Sequence, residues 1–211
     1  KLLAGSETVA RVYADTSFVV ALGVTETDIH FQKADSRSTH IFIIDIDLKK
    51  PGVSLEVGMP YDTDARNNFQ RQTLTEMADY ADRPWHRVVA MVNADFWDIK
   101  TMEIRGPIHR NSVILKNSFI FKETLPQQAL SFIALTKDNK MIIADSAEYQ
   151  GMQYNLKEVT GSGVIVLRNG EISGTNYPGI DPRTCVGYSD DGHVYFMVVD
   201  GRVDFYSYGF R

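Results

Sequence analysis

The chain has 211 residues, 44% of them hydrophobic and 23% charged, enough to bury a core unaided and too apolar for a disordered or low-complexity chain. With 22 Lys and Arg against 27 Asp and Glu, the net charge of −5 excludes the broad positive field of a nucleic-acid binder. No apolar run reaches the length of a transmembrane segment, and the lone Cys185 excludes an internal disulfide and a cysteine zinc cluster.

Ile41–Leu48 (IFIIDIDL) is β-branched and alternates at its end, which predicts a strand. Thr73-Leu-Thr-Glu76 fits a capping box. Leu74, Met77, Ala78 and Ala81 then form one apolar helical stripe that Pro84 ends. The wholly apolar run Val88–Val92 predicts a strand buried on both faces. Ser131–Thr136 and Met141–Asp145 read as a hairpin around residues 137–140. Val164–Leu167 leads into the turn Arg168-Asn169-Gly170, and Thr184–Ser189 and His193–Asp200 flank Asp190-Asp191-Gly192. The expected fold class is α+β: a mixed, mainly antiparallel sheet with packed helices and a hairpin-rich second half, in a single domain over 1–211.

Three polar stretches interrupt the pattern, at residues 58–72, 98–112 and 174–183. Loops of that length in a compact domain are usually functional or mobile. There is no Gly-x-Ser-x-Gly elbow, P-loop, dinucleotide fingerprint or His-Glu-x-x-His, and the five histidines lack metal-ligand spacing. Gly161-Ser162-Gly163 reads as a turn.

Four segments carry candidate chemistry. In Asn93-Ala94-Asp95-Phe96-Trp97-Asp98, an Asn and an Asp at the end of an apolar run are expensive unless bonded or used. On extended backbone, Asn93 and Asp95 share a face. Asp95 suits an acid, base or nucleophile, and Phe96 or Trp97 a stacking platform for a sugar. The alternative is an ordinary Asx turn at a strand end. Arg105-Gly106-Pro107-Ile108-His109-Arg110 offers two guanidiniums and an imidazole for an anion, or a solvated loop. In Asp181-Pro182-Arg183-Thr184, Pro182 stiffens the approach to a strand, so Arg183 and Thr184 suit a phosphate or a sugar hydroxyl, or a surface ion pair. Asp200-Gly201-Arg202 closes an apolar strand as a turn, or brings a second carboxylate and cation to a site.

In order and spacing these segments resemble the phosphodiester glycosidase family, which includes the enzyme that uncovers mannose 6-phosphate on lysosomal proteins and many bacterial surface or exopolysaccharide-linked proteins. The resemblance runs through Ile41–Pro51, Gln72-Thr73-Leu74, Asn93–Phe96 with Gly106-Pro107, Pro182-Arg183-Thr184-Cys185-Val186-Gly187, and Val198–Arg202. Ala94 and Trp97 depart mildly from the family's Asn-Gly-Asp/Gly-Phe-Phe pattern. Cys185 stands where a small residue is usual and reads as a small hydrophobe. The family's Asn-Leu-Asp-Gly-Gly-Gly-Ser-Ser-like segment has no counterpart before Arg211, so the expectation is a domain lacking its C-terminal segment.

The resemblance implies hydrolysis of the bond between a sugar C1 and a phosphate that is also esterified to another group. It puts Asp95, Asp200 and Asn93 in catalytic positions and Arg183, Thr184, Arg202, His109, Gly106 and Phe96 in substrate contact. Phosphate leaves more readily than an alcohol, so positioned cations matter more than a strong acid. No cofactor is required, no metal site is expected, and a divalent cation remains compatible with the carboxylates. The implied partner is a carbohydrate or phosphoglycan, outside the cytoplasm of a bacterium. Lys1–Gly5 is too short for a signal peptide, so the chain reads as a mature fragment. The competing expectation is a binding module for phosphorylated or acidic glycans without turnover.

Overall fold

Strands account for the architecture. In a computed structural model, which describes residues 8–64, 70–173 and 179–210, twelve run in chain order: β1 Val9–Ala21, β2 Val24–Lys33, β3 Ser38–Asp47, β4 Ile108–Arg110, β5 Val113–Lys116, β6 Ser131–Thr136, β7 Met141–Asp145, β8 Leu156–Ser162, β9 Leu167–Arg168, β10 Glu171–Ile172, β11 Arg183–Tyr188 and β12 His193–Val199. The two α-helices among the described residues are α1 Leu74–Ala81 and α2 Tyr149–Met152. The chain divides into two compact units. The first takes the described residues up to Val53 and from Gly179 onward, and the second those from Ser54 to Ser173.

The first unit is one antiparallel sheet in the order β1-β2-β3-β12-β11. Its register aligns apolar side chains across strands. Val24 lies opposite Ile46, which lies opposite Val194, and all three are buried. Ile29, Ile41 and Val199 form a second such row. These cross-strand rows are the unit of sheet stabilisation. The expected strand over 41–48 is the central β3, and the 184–200 hairpin is β11–β12. Strand β2 carries no apolar pattern: Glu26, Asp28 and His30 alternate with Thr25, Thr27 and Ile29, so neither face reads as apolar.

The second unit holds the antiparallel sheet β5-β4-β8-β6-β7 and the small hairpin β9–β10. One core cluster joins Phe132, Ala134, Ala144, Tyr149, Leu156 and Val159, and another joins Met59, Ile108 and Leu115. The β6–β7 hairpin falls where the sequence puts it. Asn169 (φ 53°) and Gly170 (φ 81°) make the tight β9–β10 turn, although the ladder begins at Leu167 and not at Val164.

The expected α+β class with packed helices does not hold. Strands and bridges take 43% of the described residues, helices 11%, and all three sheets are antiparallel. The capped helix forms where the sequence predicts it. Thr73 caps α1, accepting the Glu76 N–H at 3.3 Å while its own N–H donates to the Glu76 carboxylate at 2.9 Å. But α1 has eight residues and none is buried, so it forms no packed layer. A helix this short leans on its cap. Thr73→Ala should cost about 1 kcal/mol locally, read as faster amide hydrogen exchange over residues 76–82 with the sheets unaffected. The run Val88–Val92 is also not a strand. It is partly buried, with Val89 at 41% exposure, and it joins no ladder among the described residues. Apolar content reports burial, whereas a strand needs a neighbour with free backbone groups.

Candidate functional site

The candidate residues fall into two groups, one in each unit. In the second unit the centre is Asp95. Its Oδ1 accepts the Phe96 N–H at 2.7 Å and its Oδ2 accepts the Gly106 N–H at 2.5 Å. Gly106 in turn lies against Gly161 of β8. A Cβ on Gly161 would stand 2.5 Å from Asp95 Oδ2 and 2.6 Å from the Gly106 Cα, and one on Gly106 would stand 2.4 Å from the Gly161 Cα. Neither glycine has positive φ. They are required by close approach, because only bare backbone lets the carboxyl sit this deep. The Gly161–Gly163 segment is therefore not a turn at its start: Gly161 and Ser162 end strand β8.

Burial is the largest influence on Asp95 and raises its pKa to about 6, against the pull of the Gly106 and Phe96 amides and the nearby Lys116 and Arg105 cations. Asp98, three residues on, goes the other way. The Lys100 N–H, then the Lys122 ammonium and the Thr101 N–H, hold it well below the usual carboxylate range. Its Oδ2 also accepts from the buried Arg105 at 2.9 Å. Two carboxyls whose environments push them apart divide the work of a site. Asp95 exchanges a proton near neutral pH, and Asp98 stays charged and anchors Arg105.

Phe96 is 37% exposed, and its ring edge packs where a Cβ on Gly163 would be. Trp97 is similarly exposed, under the Arg71 guanidinium. Asn93 is exposed and outside any strand, whereas Asp95 is half-buried. His109 is fully buried on β4, its Nε2 2.6 Å from the Tyr149 hydroxyl. Arg110 pairs with Asp62 and Asp64. The arginines and histidine of residues 105–110 are thus bonded within the unit and do not form a shared anion pocket.

In the first unit the Asp181 carboxylate lies between two cations. Its Oδ1 accepts from Arg202 Nε and Nη2 at 3.1 and 2.9 Å, and its Oδ2 lies 3.7 Å from Arg183 Nη1. Arg183 also donates to the Gly179 carbonyl at 2.9 Å. Gly201 permits this closeness, since a Cβ there would meet the Pro182 nitrogen at 2.6 Å. Arg183 and Thr184 are consecutive on β11, so their side chains face opposite ways and do not grip one phosphate together. Asp200 follows β12, its N–H bonded to the His40 carbonyl. Burial raises the Cys185 thiol, which disfavours the nucleophilic thiolate.

The sequence reading passed over Gly161, Lys116, Asp98 and Asp181 as site components. Their signal is tertiary: a glycine against a carboxyl, a lysine folded onto the Gly106 carbonyl at 3.0 Å, an aspartate between two arginines. Among the described residues, no group of three or more His, Cys, Asp or Glu side chains is placed to hold a metal ion, and no helix is long and apolar enough to cross a membrane. Of the polar stretches, residues 65–69 and 174–178 lie outside the described residues.

Comparison with known proteins adds one finding. The model of the phosphodiester glycosidase family matches residues 86–209, a span that contains the Asp95 site, β11, β12 and the Asp200-Gly201-Arg202 segment. No curated protein matches the chain.

Proposed function

Since the chain belongs to the phosphodiester glycosidase family, we propose that it hydrolyses the bond between a sugar's anomeric carbon and a phosphate that is also esterified to a second group. The observation that carries the chemistry is Asp95: a carboxyl half-buried in a glycine cradle, bonded to two backbone amides, with a pKa raised to about 6. A group poised near the working pH is an effective general base. Ionised Asp95 takes a proton from water, the water oxygen attacks C1, and the C1–O bond to phosphate breaks with its electron pair passing to the phosphate. In the first unit, the family resemblance offers Asp200 as a further carboxylate and Arg183 and Arg202, which share Asp181, as cations suited to a phosphate. Phe96 gives the sugar an apolar face, and Gly106 orients Asp95. Asn93 supplies a polar contact. The substrate is an extracytoplasmic, exopolysaccharide-type glycan, a part of the reading that rests on the family alone.

The test is turnover of a chromogenic sugar 1-phosphodiester, with calorimetry on the matching sugar 1-phosphate. Release of chromophore, with Arg183→Ala lowering kcat/KM at least tenfold, is the expected result. Binding without turnover would favour a glycan-recognition module. The anomeric outcome assigns Asp95: inversion marks a base acting on water, retention a nucleophile at C1.

A further inference from the structure

In the second unit, a lysine that the reading above leaves unused grips the glycine bonded to Asp95. β4 and β5 pair Ile108 with Lys116 and His109 with Ile114, so Leu115 is the extra residue of a bulge. Bulges beside functional sites re-aim side chains. The ladder ends at this pair. Pro107, fully buried and next in the chain, has no N–H to continue it. Two steps further along the same register Gly106 lies opposite Ser118. The carbonyls of both accept from the Lys116 ammonium, that of Gly106 at 3.0 Å. Gly106 is therefore held by both of its polar groups. Its N–H donates to Asp95 Oδ2 at 2.5 Å, and its carbonyl accepts from Lys116 Nζ. Gly106 is itself buried, so removing the lysine takes away the partner of a buried carbonyl.

We propose that Lys116 is a positioning residue for Asp95: its ammonium clamps Gly106, so that the Gly106 N–H stays on the carboxyl and favours the ionised form. An N–H fixed on Oδ2 gains strength as the carboxyl gains charge, and one free to swing away does not. The ammonium also places a positive charge beside the cradle. Arg105, the other cation near Asp95, gives its Nη2 to Asp98 at 2.9 Å, and Lys122 donates to the same carboxylate. Lys116 gives its hydrogen bonds to two neutral carbonyls, which leaves its charge to act on Asp95. The charged groups facing Lys116 are Asp95, Glu103 and Arg105, and Arg105 faces Asp95 as well. From β8 comes Gly161, which carries no charge. Burial opposes charge on both partners, raising Asp95 to about 6 and lowering Lys116. Losing Lys116 removes the brace of one amide and a cation together, and both losses push Asp95 further up. The consequence for turnover rests on the proposed role of Asp95; the clamp itself does not.

Carbon NMR of Asp95 Cγ across pH tests the clamp in the intact chain. In the wild type, the Gly106 amide nitrogen and Lys116 Nζ are expected to step at the Asp95 midpoint. In Lys116→Met that midpoint should rise by about one pH unit. A lysine that only braced the strand ends would lower the urea midpoint and leave the Asp95 titration in place, and that result overturns the proposal. So does a Lys116 Nζ signal that ignores Asp95 in the wild type, a measurement that decides the matter if the variant does not fold. In the turnover assay, kcat of Lys116→Met should fall about fivefold at pH 6 and little at pH 8, with KM unchanged, because the base must be ionised. If the wild type cleaves no sugar 1-phosphodiester, the proposed activity fails and the Asp95 titration still decides the role of Lys116.

Discussion

Asp95→Asn is expected to lower kcat on a sugar 1-phosphodiester by about 10²–10⁴-fold, the usual contribution of a positioned acid or base, while leaving the protein folded at pH 7. The second half of that expectation follows from linkage. The Asp95 pKa is raised to about 6 in the folded chain from an ordinary aspartate value of 3.8. Below pH 3.8 both folded and unfolded chains hold the proton, and the group adds no pH dependence. Between about 3.8 and 6 the unfolded chain has released its proton and the folded chain has not, so stability falls as pH rises. Above 6 the loss is complete, at about 3 kcal/mol by 1.36 kcal/mol per pKa unit. Asparagine carries no charge and removes that loss. Its amide offers one acceptor oxygen where Asp95 offered two, so one of the Phe96 and Gly106 amides is left unmatched, at about 1–3 kcal/mol. The two effects nearly offset at neutral pH. Urea unfolding from pH 4 to 7 should show the wild type losing stability relative to the variant as pH rises. If the variant parallels the wild type, Asp95 is not the buried titrating group.

Gly161→Ala is expected to be the most disruptive single-methyl change in the second unit. Its Cβ would stand 2.5 and 2.6 Å from the Asp95 carboxyl and 2.6 Å from the Gly106 Cα, inside any allowed contact. One neighbour is backbone and the other a carboxyl pinned by two amides, so neither yields by rotating away. Overpacking of this kind costs about 1–3 kcal/mol, and backbone against backbone belongs at the upper end. The movement also pulls Gly106 N–H off Asp95, so turnover should fall with stability. Gly187→Ala on β11 is the matched control: nothing lies within 4 Å of its Cβ. There, the reduced freedom of the unfolded chain should leave stability unchanged or raised by about 0.5 kcal/mol. Denaturation midpoints of the two variants measured side by side decide the matter. Equal midpoints would mean the glycine cradle is looser than its distances state.

Local signals were legible wherever the physics is local. Asn169-Gly170 makes its turn because both residues accept positive φ. Thr73 and Glu76 cap α1 because their partners are three residues away. The family order of Asn93, Asp95, Gly106, Arg183, Asp200 and Arg202 was also present in the sequence, and the family match spans it. What failed was inference from apolar content to architecture. Val88–Val92 looked like a central strand and joins no ladder among the described residues, while the polar β2 pairs along its length with both β1 and β3. Pairing depends on which backbone lies alongside, and composition does not record that.

The sequence by itself determined the family, the short hairpins, the capped helix and the carboxylates and arginines available for chemistry. Only the tertiary structure decided their states. Asp95 and Asp98 are the same residue type three positions apart, yet one is raised by burial between Gly106 and Gly161 and the other is held low by amides and cations. His40 and Tyr206 are 166 positions apart and share a hydrogen bond. A residue's pKa and partners belong to its surroundings, and those are assembled from segments far apart in the chain.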